Sequence, residues 1–218
     1  MSVAEKLVTI AENQEKVFDA GFENGKDIIT TKAKTISFSD LNFGVPSITL
    51  NLDKITSMAG MFGVLGETSE ITINCPNELT SVQGCFDANT YETKLKKLTL
   101  NINTQKTKEF NAFFWQRQGL EIIDGMPLSF MSATRIGSAF TGCYGLKEVR
   151  FAEESIKITL SLPHSSLLSD ESIQSVVDGL GDLTGLTAQT LTLHATVGAK
   201  LTEEQKATIT AKNWTLVY

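Results

Sequence analysis

Imidazole, carboxylate and thiol groups are the first places to look for chemistry. His164 and His194 are the only histidines in 218 residues. His164 lies in the loop SLPHSS, and His194 ends a strand-like run; neither has a second histidine at ligand spacing. A Ser–His–Asp arrangement cannot be read from one imidazole in a Pro-Ser loop, so both rings are expected as solvated or capping groups. Asp124, Glu148, Glu153 and Glu154 are carboxylates whose spacing gives no reason to pair them for acid–base work. Cys75, Cys85 and Cys143 form no CxxC pair, and small buried side chains are expected, with neither a disulfide nor a zinc site. GLGDLTG at 179–185 follows a helix pattern instead of opening one and lacks phosphate-loop glycine spacing, so it reads as a helix stop and a turn. The expectation is no catalytic residue, no metal and no cofactor.

What remains is recognition by surface side chains. Tyr91, Phe114, Trp115 and Tyr144 fall just after similar phrases, with Arg117 adjacent, and Trp, Tyr and Arg are the residue types most often found at binding hot spots. If successive units lie in register, these five collect along one edge and suit a protein or a cell-surface glycan. The opposing expectation is that Phe114 and Trp115 cover a distorted third unit or the N-terminal helix.

The phrases that would position them are TSMAGMF at 56–62, TSVQGCF at 80–86, TKEFNAF at 107–113 and TRIGSAF at 134–140. They put Phe62, Phe86, Phe113 and Phe140 in one column, at intervals of 24, 27 and 27 residues. Strand-like tails follow. Leu95, Leu98, Leu100 and Leu146, Val149, Phe151 both fit LxxLxL, as do Val45, Ile48, Leu50; Ile71, Ile73 and Leu120, Ile123 fit in part. Units this short cannot bury their own apolar faces, so neighbours must stack and the Phe column becomes a spine. In the third unit Glu109 falls in the column of Met58, Val82 and Ile136, which predicts a distortion there.

The pattern resembles the BspA-like class of leucine-rich repeats, in which an "IGxxAFxxC" turn precedes a "LxxIxI" strand. Ile136, Gly137, Ala139, Phe140 and Cys143 match the turn, and Leu146 and Val149 the strand, over roughly residues 45–160. The resemblance implies an α/β fold, a right-handed leucine-rich-repeat-like solenoid with one parallel strand per unit. Thr49, Thr72, Thr99, Asp124, Arg150, Thr192 and Thr215 would then form an outward column, with Asn51, Asn74 and Asn101 beside it. Stacked hydrogen bonding is the favoured role for these columns, and a polar ligand-binding face the second.

Three regions follow: an N-terminal helix over 1–30, the solenoid over 31–165, and C-terminal helix–strand coils over 166–218 that continue the same sheet. Ser169 opens a helix whose Ile173, Val176, Val177 and Leu180 share one face. TLTLH at 190–194 is a strand, Thr202 with Gln205 makes a capping box, and NWTLVY closes as a strand with Trp214 and Leu216 inward. Val3, Leu7, Ile10, Gln14, Val17 and Gly21 repeat at heptad-like spacing. That predicts a helix capping the first unit or, alternatively, a bundle through residues 1–21 that makes a homotrimer.

Net charge is −6, from 19 basic and 25 acidic residues, which disfavours nucleic acid and anionic membrane surfaces. No stretch has the roughly 20 apolar residues of a membrane span, and the charged opening has no signal-peptide core, so the chain is expected to be made in the cytoplasm. AEKLVTIAENQEKVFDAG and LTLHATVGAKLTEEQKATITAKNWTLV resemble terminal segments of phage and prophage tail-region proteins of Gram-positive bacteria. That resemblance implies a non-enzymatic structural or host-contact module in a phage particle. The alternatives are a BspA-like cell-surface adhesin and a glycan-active enzyme with two carboxylates facing across a groove.

Overall fold

A computed structural model describes residues 18–23, 26–31, 46–63, 65–88 and 94–218. The protein is α/β, with parallel sheets and few helices. β1 (Phe18–Glu23), β2 (Lys26–Thr31), β3 (Ser47–Leu52), β4 (Glu70–Glu78), β5 (Lys97–Asn103) and β6 (Ile122–Gly125) form one six-stranded sheet in that order. β1 and β2 are antiparallel, and every later neighbour in this sheet is parallel. β7 (Leu160–Leu162), β8 (Gln189–Leu193) and β9 (Trp214–Val217) form a second, parallel sheet. Among the described residues the helices are α1 (Asp170–Gly179), the short α2 (Ala195–Gly198) and α3 (Glu203–Ala211). Among the described residues no helix is long and apolar enough to cross a membrane.

The strands alternate as their period of two requires. Ile48, Leu50, Ile71, Ile73, Leu98, Leu100 and Ile123 face the core, while Thr49, Thr72, Thr99 and Asp124 register across the outer face. Beside them Asn74 donates to Asn51 Oδ1 and Asn101 donates to Asn74 Oδ1, each at 2.8 Å. Asn51 in turn donates to Thr30 Oγ1 at 3.1 Å. Asn51 and Asn74 each spend one donor and one acceptor on their neighbours, so the ladder reinforces the strand register.

The phrase copies are joined by backbone hydrogen bonds, and these correct the third copy by one residue. Phe62 N donates to Cys85 O, Phe86 N to Phe113 O and Phe114 N to Ala139 O, at 3.0, 2.9 and 2.8 Å. Ser57, Ser81, Glu109 and Arg135 form a row of parallel bridges. The third copy is therefore KEFNAFF at 108–114. Phe114 takes the column position, Phe110 lies under Val82, and no distortion is needed. Ring centroids run Phe62–Phe86 4.9 Å, Phe86–Phe114 5.9 Å and Phe114–Phe140 5.4 Å. Phe113 packs beside this row, 4.0 Å from Phe114.

Three further expectations are revised. The N-terminal helix over 1–30 is contradicted where the chain is described, because Phe18–Glu23 and Lys26–Thr31 pair as a hairpin. Asn24-Gly25 between them is a strong hairpin dipeptide, and β2 already belongs to the sheet, ahead of the expected boundary at 31. Residues 1–17, and most of the expected trimer seam, lie outside the described residues. The C-terminal strands do not continue the same sheet: the run at 148–151 makes only isolated bridges, Ile122 with Glu148 and Leu128 with Phe151. Finally, Thr215 registers with Thr190, and Thr192 pairs with Val217.

The C-terminal helices follow their sequence signals. Ser169 caps α1 by accepting from Ser172 N, Thr202 and Gln205 form the capping box of α3, and Ile173, Val176, Val177 and Leu180 are buried. Trp214 is buried, and Leu216 packs against the core.

Candidate functional site

Of the five residues expected on one edge, the four that are described separate. Phe114 is fully buried in the phenylalanine row, because the one-residue shift puts it where Phe113 was expected. Arg117 is also fully buried. Its Nε donates to Phe86 O at 2.6 Å, and its Nη2 to Gly63 O at 3.0 Å and Asp87 O at 3.4 Å. A planar fork of donors suits several carbonyls at once, so Arg117 fastens its own unit to the two before it. Neither side chain can meet a partner. Tyr91 lies outside the described residues. Trp115 is half-buried and makes no ring contact with Tyr144 among the described residues.

Among the described members Tyr144 is the one exposed, at 49%. Its ring lies 5.0 Å from that of His164, edge to face at 62°. His164 is fixed in turn, since its Nδ1 accepts from Gly142 N at 3.2 Å. That bond assigns the proton of the neutral ring to Nε2, leaving a donor on the far side. Gln116 lies across Gly142: a Cβ on the glycine would sit 2.7 Å from Gln116 Oε1. Gln116 itself has φ +60°, a conformation that a non-glycine residue adopts at a cost of roughly 1–2 kcal/mol. Gln116, Gly142, Tyr144 and His164 thus form a connected ledge across three neighbouring segments. Residue types pointed to Tyr144 alone; no sequence signal marks a positive φ at glutamine or the tautomer of His164. The other imidazole, His194, caps α2 by accepting from Thr196 N at 3.1 Å.

A second feature appears where the six-stranded sheet stops. Among the described residues the run at 148–151 has no strand beyond it, and α1 supplies hydroxyls instead. Val149 N donates to Ser172 Oγ at 3.0 Å, and Phe151 N to Ser175 Oγ at 2.8 Å. The seam leaves a cleft of about 460 Å³ lined by Asp124, Glu148, Arg150, Glu171 and the α1 serines. Ser172 is buried, so Ser172→Ala leaves the Val149 N–H without a partner. The expected loss is about 1–3 kcal/mol, read from the urea midpoint.

Asp124 sits between Lys97 Nζ at 3.8 Å and Arg150 Nη2 at 2.8 Å. A hydrogen bond from the backbone of Gly125 is the main cause holding its carboxyl below the usual range, with the two cations adding to it. It is therefore an anion suited to an ion pair and poorly suited to donating a proton. A depressed carboxylate stabilises the fold above its ordinary range and loses that contribution as pH falls through the folded value, below about pH 4. The side chain is 44% exposed, so the effect is expected to stay below about 1 kcal/mol. Urea midpoints at about pH 7 and pH 3 should differ less in Asp124→Asn than in the parent protein.

The three thiols are buried and free. Burial pushes Cys143 up to about 12, against the opposing field of Arg117, which makes it a packing group and not a nucleophile. No three His, Cys, Asp or Glu side chains among the described residues gather to hold a metal ion. Comparison with family models, with curated proteins and with solved structures finds no match.

Proposed function

We propose that this chain is a non-enzymatic recognition or assembly module, a leucine-rich-repeat-like solenoid of phage or prophage origin that presents a fixed surface to a protein or a glycan. The observation that supports it is the register of the phrase copies. Backbone bonds join Phe62, Phe86, Phe114 and Phe140 into one buried row. A parallel sheet beside that row keeps its polar columns on the outside. Rigid repetition of this kind holds side chains from distant parts of the sequence at constant spacing, which serves binding more directly than chemistry. The similarity of the terminal segments to phage tail-region proteins supplies the phage assignment.

The test uses fluorescently labelled protein with Gram-positive cells, isolated cell walls and purified phage particles. Saturable binding to cells or walls, or stable incorporation into particles, is expected. Absence of both overturns the proposal.

A further inference from the structure

We propose that the Gln116–Tyr144–His164 ledge is a carbohydrate-binding site that takes one pyranose ring; this rests on the recognition reading and names its ligand class. Three observations on different side chains converge there. Tyr144 keeps half of a large aromatic side chain in water while its ring is braced by His164 at 5.0 Å. A tyrosine held this way has already lost much of its rotamer freedom, so stacking on the C–H face of a sugar orders little more. His164 spends Nδ1 on Gly142 N and so offers Nε2–H as a donor. Gln116 holds an amide over Gly142 from a left-handed backbone position. Its Oε1 receives only a long bond of 3.4 Å from Gln118 Nε2, and its own Nε2 has no partner among the described residues.

The ledge therefore joins one apolar plane to a neutral ring donor and a side-chain amide. That set fits a polyhydroxylated ring, whose C–H face is apolar and whose rim both donates and accepts. Among the described residues no cation or carboxylate belongs to it, which argues against an anionic or a cationic ligand. The space over Gly142 is essential as well, since any larger residue collides with Gln116.

The chain has 3 tyrosines, Tyr91, Tyr144 and Tyr218, so ring-labelled tyrosine gives a compact spectrum with its own controls. The probes are the methyl glycosides of glucose, galactose and N-acetylglucosamine, titrated to about 50 mM. A single-ring site of this kind should show a Kd of roughly 1–10 mM for at least one of them. The Tyr144 ring signals should shift while those of Tyr218 stay put. Tyr144→Ala should weaken binding at least about tenfold, and Tyr144→Phe should retain most of it. His164→Gln and Gln116→Ala should each weaken it about three- to tenfold with the Tyr144 stacking shift still visible. Tyr144 and His164 are not core residues, and an unchanged urea midpoint excludes unfolding as the cause. No shift at Tyr144 with any of the three glycosides overturns the ledge. So does labelled protein whose binding to cells is unaffected by Tyr144→Ala, an outcome that leaves the recognition reading standing. Failure of the parent protein to bind cells, walls or particles removes the recognition reading itself.

Discussion

Arg117→Met is expected to destabilise the protein by about 3–5 kcal/mol, although it replaces a buried charge with an apolar side chain of similar length. A buried cation is costly to desolvate, and swapping a whole ion pair for apolar groups is often neutral. Here the partners cannot be swapped. The guanidinium bonds are to main-chain carbonyls of Gly63, Phe86 and Asp87, which remain after the substitution, and Phe86 is fully buried. Each carbonyl left without a donor costs about 1–3 kcal/mol. Asp87 adds to the loss. Burial already raises its carboxyl above the usual range, and Arg117 is the group that opposes the rise. Without Arg117 that carboxylate keeps the desolvation and loses the compensating field. Asp87→Asn should accordingly recover part of the loss in the double variant, with a coupling of about 0.5–3 kcal/mol. Arg117→Lys should recover less than the parent's full stability, because an ammonium is a point charge that cannot span three carbonyls. Urea unfolding with unchanged slope is the measurement. A loss in Arg117→Met below about 1 kcal/mol would show that the carbonyls find other partners, and the clamp would be wrong.

The arginine also shows which parts of this fold can be read from residues alone. The strands were legible because their signal is doubly redundant: period-two burial within a strand and the same residue type at the same place in the next. Thr49, Thr72 and Thr99, and Asn51, Asn74 and Asn101, pair as their spacing requires. The helix caps at Ser169 and Thr202 were legible because capping is local chemistry. The third phrase was not, and the reason is physical. Gly60, Gly84, Ala112 and Ser138 occupy one column, all with φ between +54° and +58°. Glycine announces such a position, whereas alanine and serine conceal it. With three phenylalanines at 110, 113 and 114, two frames fit equally well until the backbone bonds choose one. The break between the sheets was hidden similarly, since Ser172 and Ser175 read as the polar side of an amphipathic helix. Nothing local says that their hydroxyls replace a strand. Arg117 was misplaced because residue type gives a propensity for interfaces, while burial depends on which carbonyls lie within its reach. At the ledge, the aromatic residue was found, and the groups that orient it were not.

Gly125→Ala is expected to be the most damaging single-methyl change in the described chain, at about 3–5 kcal/mol. Gly125 closes β6 with φ +96° and registers with Leu100 of β5. A Cβ there would lie 2.5 Å from Leu100 O, 2.7 Å from its carbonyl carbon and 2.8 Å from its nitrogen. All three are main-chain atoms of a fully buried residue, and Leu100 O is also held by Met126 N at 2.9 Å. No side chain can swing away, so β5 and β6 must separate or the φ must change. Either movement breaks the seam beside them, because Gly125 O accepts from Arg150 Nη2 at 3.0 Å and the Gly125 backbone holds the Asp124 carboxylate. Gly185→Ala separates the two contributions. Gly185 has φ +78° but open space around its missing Cβ, so it should show the conformational penalty alone, about 1–2 kcal/mol. The difference between the two variants in urea midpoint measures how closely neighbouring strands approach at this point. Equal losses would mean that β5 and β6 yield to a methyl group, and that Asp124 and Arg150 are not held by the backbone beneath them.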